Sequence, residues 1–226
     1  LDASQWPQAD MAWVNSPSNP TGRVHSEAEF KAAIDWSRKN KSVVVSDECY
    51  LEFGDSVKPT SILNYTGGDN TNILAVHSLS KRSSMAGYRA AFIVGDPALI
   101  ARILEVRKHA GMMVPLPVQV AMVAALSDEE HVVQQRARYN ARRATLTPAL
   151  RAAGFTIENS EAGLYIWATR NENCWDSVSW LAELGIIATP GVFYGDLGAS
   201  HIRIAMTATD AQISEAAARI SSKVGA

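Results

Sequence analysis

Cysteine is nearly absent from these 226 residues: Cys49 and Cys174 form neither a CxxC pair nor any metal-ligand spacing. A thiolate metal centre is thereby excluded. Two free thiols in a reducing, cytoplasmic compartment are the expectation. An excess of positive charge is also missing, with 21 Lys and Arg against 23 Asp and Glu, for a formal net charge of -2. Nucleic acid and acidic membranes recruit basic surfaces, so neither is expected as a partner. No apolar run approaches the roughly 18 residues that span a bilayer. Leu1 to Gln5 show neither the basic start nor the apolar core of a signal peptide. There is no internal repeat, no low-complexity segment, and no helix-turn-helix or basic arm.

The first half alternates short apolar runs with helical patterns, which is the mark of parallel α/β architecture. Residues 11–15 read as a strand end followed by a Pro/Asn/Gly loop through Gly22. Ser26 and Glu29 form a capping box opening a helix, whose apolar positions Phe30, Ala33, Ile34 and Trp36 keep helical period to Asn40. Residues 42–46 (SVVVS), 73–77 and 90–95 read as further strands, buried on both faces. Asp96 and Pro97 are a good N-cap and first helical residue. Helices are expected over 117–126 and 129–153. Beyond Gly154, strands near 155–158, 164–168, 186–189 and 202–205 mix with helices near 176–184 and 210–224, a small α+β unit. The expected domains are therefore 1–143 and 144–226. Arg136, Arg138, Arg142 and Arg143 read as a solvated helix face, because polar and acidic residues are interleaved.

In parallel α/β sheets, ligands bind at the carboxyl ends of the strands. Asn19-Pro20-Thr21-Gly22 follows the first strand, Asp47-x-x-Tyr50 the second, and Ser78-x-x-Lys81 the third, with Arg89 opening the fourth. Taken singly, each has a plain reading: a surface lysine, an Asp cap, a core Tyr, a tight turn. Their order and spacing together outweigh those readings. An amine nucleophile needs its pKa lowered, which a nearby cation and partial burial both do. An acid such as Asp47 can keep a pyridine nitrogen protonated, making the ring an electron sink. Tyr50 and Asn19 suit a ring oxygen; Ser78 and the Arg89 fork suit a phosphate.

This series, with Arg203 in His-Ile-Arg-Ile-Ala, resembles the fold-type I, class I/II aminotransferases. The resemblance implies the pyridoxal 5′-phosphate (PLP) transferase fold: part of a mainly parallel sheet between helices, plus a small C-terminal α+β domain. It implies that Lys81 bonds the cofactor and shuttles the proton at the substrate Cα. Asp47 would pair with the pyridine nitrogen, Asn19 and Tyr50 with the ring oxygen, and Ser78 and Arg89 with the phosphate. Arg203 would grip the substrate α-carboxylate. It also implies a homodimer acting on amino and keto acids. Residues 107–119, 161–168 and 205–210 are similar to the N-succinyldiaminopimelate aminotransferases of actinobacterial lysine biosynthesis, whose amino acceptor is N-succinyl-2-amino-6-oxopimelate and whose donor is glutamate. His109 reads as a helix-end histidine rather than a substrate contact. Members of that family carry a long N-terminal portion missing from this sequence, so the natural protein is expected to be longer. The rival readings are another fold-type I enzyme such as a C–S lyase, a PLP-binding regulator domain, and an inert fragment.

Overall fold

The computed structural model describes residues 2–225 and shows two compact units. The first comprises Leu1–Pro17, Val24–Glu52 and Lys58–Val132; the second comprises Ser18–Arg23, Phe53–Val57 and Val133–Ala226. The second unit thus takes in two short early segments, and its main part begins upstream of residue 144. No helix among the described residues is long and apolar enough to cross a membrane.

The first unit runs β1 (Met11–Asn15), α1 (Glu27–Asn40), β2 (Val43–Asp47), β3 (Ile73–Ser78), α2 (Leu79–Arg82), β4 (Ala91–Gly95), α3 (Pro97–His109) and α4 (Leu116–Leu126). Its sheet has the order β1-β2-β3-β4. β1, β2 and β3 are parallel, whereas β4 runs antiparallel to β3, pairing Ser78 with Ala91. The sheet is thus mainly parallel, as expected, and β4 turns back antiparallel because its link to β3 holds only short helical turns, too little for a crossover.

Two boundaries shift in a way that matters for the site. β2 starts at Val43 and ends on Asp47, because Lys41 closes α1 in the left-handed region and the Ser42 hydroxyl is spent on the Ala9 carbonyl (2.5 Å). Arg89 does not open β4. It sits at φ +53 as the cap of a 3-10 turn over Ala86–Tyr88.

Phe30, Ala33 and Ile34 place one stripe of α1 against Val14, Val44, Ile73 and Ala75 of the sheet. The α1 start is closed by the expected capping box: Ser26 Oγ accepts from Glu29 N (3.3 Å) and Glu29 Oε2 from Ser26 N (2.9 Å). Ser26→Ala should cost about 1 kcal/mol in urea unfolding, the usual worth of such a cap. β4 ends in a glycine for a steric reason. Gly95 lies at φ +136, and a Cβ there would stand 2.1 Å from the Ile73 carbonyl oxygen.

Asp96 then caps α3, its carboxylate accepting from the backbone N–H groups of Asn72 (2.8 Å), Ala98 (2.8 Å) and Leu99 (3.3 Å). The Asn72 bond leads in holding this carboxyl below its ordinary value of 3.8. A depressed pKa gives stability that is present above the unfolded value and is lost as pH falls through the folded one. The difference in unfolding free energy between the parent and Asp96→Ala should therefore be full at neutral pH and shrink below pH 3.8.

The second unit holds most of α5 (Glu130–Ala152), then β5 (Thr156–Ile157), β6 (Tyr165–Thr169), α6 (Cys174–Glu183), β7 (Thr189–Pro190), β8 (His201–Ala205) and α7 (Asp210–Val224). Its sheet is antiparallel throughout, in the order β5-β6-β8-β7. The strand expected at 186–189 reduces to Thr189–Pro190. Ile186 N is taken by the Leu181 carbonyl in closing α6, and Ile187 is 95% exposed. The arginine run of α5 is not a solvated face throughout. Arg138 is exposed, but Arg143 is buried, donating to the Gly163 carbonyl (2.6 Å) and lying 3.5 Å from Asp55. Arg142 donates to Asp210 (2.6 Å) and to the Met206 carbonyl (3.0 Å). Spacing on one helix does not show which arginines a later segment will cover.

Candidate active site

In the first unit, β1, β2 and β3 end together. Asn15 lies opposite Asp47, its side-chain amide donates to the Asp47 carbonyl (2.9 Å), and Asp47 lies opposite Val76. Asp47 Oδ1 accepts from Cys49 N (3.2 Å), which turns the chain and sends Tyr50 into the interior. Ser78 closes β3, and its hydroxyl caps α2 by accepting from Ser80 N (3.1 Å). Lys81 sits half-buried on that short helix rather than in a loop.

Between these groups lies Cys49, a residue the motif reading passed over. Burial and the Asp47 carboxylate push its thiol up to about 12, while the Lys81 charge pulls the other way. Asp47 ends β2, and Lys81 lies on the helical turn directly after β3, the parallel strand beside it. Arg89 is less engaged. It is exposed, donates to the Ala86 carbonyl (2.9 Å), and lines an apolar cavity of about 400 Å³ with Val76, Phe92, Ile103 and Arg107.

Glu48 and His77 were also missed. Glu48 follows Asp47 in β2 order, so it faces the other side of the sheet. Its buried carboxylate accepts from Ile62 N (2.8 Å) and lies 3.5 Å from His77 Nε2. Burial pushes Glu48 up and His77 down, toward a pair without net charge, and His77 stacks on Phe92 at 5.0 Å. A cavity of about 160 Å³ lies beside them, lined by Cys49, Ser78 and Arg82 among others. The signal available in the sequence was the strand alternation itself.

In the second unit, the Asn19-Pro20-Thr21-Gly22 turn is built against residues 160–162. Ser160 N donates to the Thr21 carbonyl (2.9 Å), and Glu161 N and Ala162 N both donate to Gly22 (3.0 Å each). A Cβ on Gly22 would come within 2.7 Å of the Ala162 oxygen, so the tight-turn reading of this motif is correct as far as it goes. The turn also presents Asn19, whose Oδ1 accepts from Arg203 Nη1 (3.0 Å). The Arg203 guanidinium lies over Tyr165 (4.0 Å) and Tyr194 (5.1 Å), and its buried Nε has no hydrogen-bond partner. A buried unpaired donor is costly, and a guanidinium fork flanked by aromatic rings is shaped for a carboxylate. His109, the last residue of α3, is exposed at 84% of its side chain and 4.0 Å from Glu105, consistent with a helix-end residue.

The family model for aminotransferase class I and II matches residues 2–220. The chain belongs to the class I and II aminotransferases. That family depends on PLP, and the donor set fits the cofactor: a carboxylate, Asp47, at the end of β2 and an amine, Lys81, on the helical turn that follows the neighbouring parallel strand β3. The chain is 56% identical over 212 residues to the probable aminotransferase Rv1178 of Mycobacterium tuberculosis, covering 93% of this chain and 51% of that one. It is equally 56% identical over 212 residues to the 4-dedimethylamino-4-oxo-anhydrotetracycline transaminase OxyQ of Streptomyces rimosus, covering 93% and 59%. Among solved structures, a probable N-succinyldiaminopimelate aminotransferase from Thermus thermophilus superposes with a TM-score of 0.85 at 27% identity, covering 95% of this chain and 58% of that one. The chain thus spans between half and three fifths of the length of these aminotransferases.

Proposed function

We propose that the full-length protein is a PLP-dependent aminotransferase moving an amino group between glutamate and a keto acid, with N-succinyl-2-amino-6-oxopimelate as acceptor. The observation that carries the reading is the register of the parallel strands β1, β2 and β3, which brings Asn15 opposite Asp47 and Asp47 opposite Val76, two residues before Ser78 and the turn that bears Lys81. PLP, when bound, supplies the electron sink that loosens the bonds at a substrate Cα. Lys81 is the amine that would hold the cofactor by its aldehyde carbon and would carry the proton at that Cα. Asp47 would hold the proton on the pyridine nitrogen. Tyr50 and Asn19 are assigned to the ring oxygen, and Ser78 and Arg89 to the phosphate. Arg203 grips the substrate α-carboxylate with Asn19 steadying its fork, which supports adding a substrate role for Asn19.

A second acceptor class rests on one observation: the identity to OxyQ, whose name records a tetracyclic keto substrate, exceeds that to the Thermus protein. Glutamate offered with each keto acceptor in turn decides between them by the amino product formed. Release of pyruvate and a thiol from a sulfur amino acid, without exchange with glutamate, would replace transamination by a C–S lyase. The enzyme is proposed to act as a homodimer, which light scattering of the full-length protein tests.

A further inference from the structure

The lysine-bearing helix α2 is four residues long, one hydrogen-bonded turn, and such a turn does not hold itself in water. Two side chains directly after Lys81 fasten it. Arg82, with 9% of its side chain exposed, donates to the Ala125 carbonyl at the end of α4 (2.8 Å), pairs with Glu129 just before α5, and lies 3.9 Å from Glu52 beyond the Asp47–Tyr50 turn. Ser83 meets His131 Nε2 through its hydroxyl (3.0 Å), and His131 Nδ1 meets Asp128 (2.9 Å). A carboxylate only accepts, so the imidazole donates from Nδ1 to Asp128, which fixes the ring with Nε2 facing the Ser83 hydroxyl. The Arg82 guanidinium also reaches Ser83 Oγ (3.3 Å). Ser83 N and Met85 N both return to the Leu79 carbonyl (3.1 and 3.2 Å), and Leu79 is fully buried.

We infer that Arg82 and the Ser83–His131–Asp128 chain are positioning residues for Lys81, making the α4–α5 junction part of what sets the reach of the reactive amine. This rests on the proposed role of Lys81. A lysine side chain has four rotatable bonds, so where its amine dwells depends on how firmly its Cα is held. The backbone around Lys81 is also held by the Ser78 cap, by the Leu79 N–H donating to the Ala90 carbonyl (3.1 Å), and by the burial of Leu79. Three of the residues bound to the clamp come from a segment more than forty positions downstream. The junction therefore acts on Lys81 without touching the reacting atoms.

The test uses the full-length protein carrying Arg82→Met, His131→Ala or His131→Gln. Two quantities are read: deuterium exchange at the amides of Ser83 and Met85, and the rate at which PLP plus borohydride labels Lys81, by peptide mapping. Loss of these bonds should speed local exchange roughly ten- to a hundredfold. It should slow labelling of Lys81 about tenfold or more, as small misplacements of reacting groups do. The melting temperature should stay close to the parent's in the His131 variants, and His131→Gln, which returns a polar group toward Ser83, should recover part of the labelling rate. Faster exchange with unchanged labelling would show a purely structural tie and overturn the inference, as would unchanged exchange. Labelling of the unsubstituted protein at some lysine other than Lys81 would instead overturn the proposed role of Lys81, and the clamp's purpose with it.

Discussion

Lys81→Ala should lower turnover of the full-length protein by roughly 10⁴-fold or more, since one substitution removes both a nucleophile and a proton carrier. The fold should survive it. Lys81 is half-buried, and the ties around it belong to Ser78, Leu79, Arg82 and Ser83. The same variant should leave Cys49 more reluctant to ionise, because the Lys81 charge pulls its thiol down against burial and the Asp47 carboxylate. Alkylation of Cys49 should therefore slow in Lys81→Ala relative to the parent, a measurement that needs no substrate. Glutamate turnover within tenfold of the parent would remove Lys81 from the mechanism.

Arg203→Ala should reduce kcat/KM for glutamate by roughly 10²- to 10³-fold, as expected when a carboxylate loses charged hydrogen bonds worth about 1.5–3 kcal/mol each. The loss should appear mainly as a higher KM, with a smaller fall in kcat from poorer orientation. Arg203→Lys should rescue little. An ammonium cannot reproduce a fork that gives one nitrogen to Asn19 and keeps others for a ligand between Tyr165 and Tyr194. Stability should move modestly in Arg203→Ala, since a cation over aromatic rings contributes about 0.5–2 kcal/mol. An unchanged KM for amino donors would sink the carboxylate role.

The strands, the helices and the order of the motifs were legible because each is a local pattern. The Ser26–Glu29 box, the Asp96-Pro97 start and the β-branched run before Asp47 speak for themselves at a range of a few residues. What stayed hidden depends on partners distant in sequence. β4 reads the same whether it runs parallel or antiparallel, since its burial pattern does not encode direction. Arg143 looks like any helix-surface arginine until Gly163 and Asp55 cover it. Asn19 reads as a ring-oxygen ligand, and its carbonyl oxygen also accepts from Arg203, a residue 184 positions away. Arg82 is masked by its neighbour, because a motif that ends on Lys81 draws no attention to the next residue. For the cofactor residues themselves, the reading rested on several strand ends coinciding, and the β1–β3 register supplies that coincidence for Asp47 and the segment leading to Lys81.

The chain passes between its two units five times, at 17/18, 23/24, 52/53, 57/58 and 132/133. A single cleavage at the last of these would strip the C-terminal piece of the acceptors for Ser160, Glu161, Ala162 and Gly163 N–H, and of the Gly54 carbonyl that Asn140 reaches. The second unit therefore cannot be completed by residues 133–226 alone. During synthesis on the ribosome, residues 18–23 and 53–57 emerge early and must wait, without their eventual neighbours, until the segment from Val133 onward arrives.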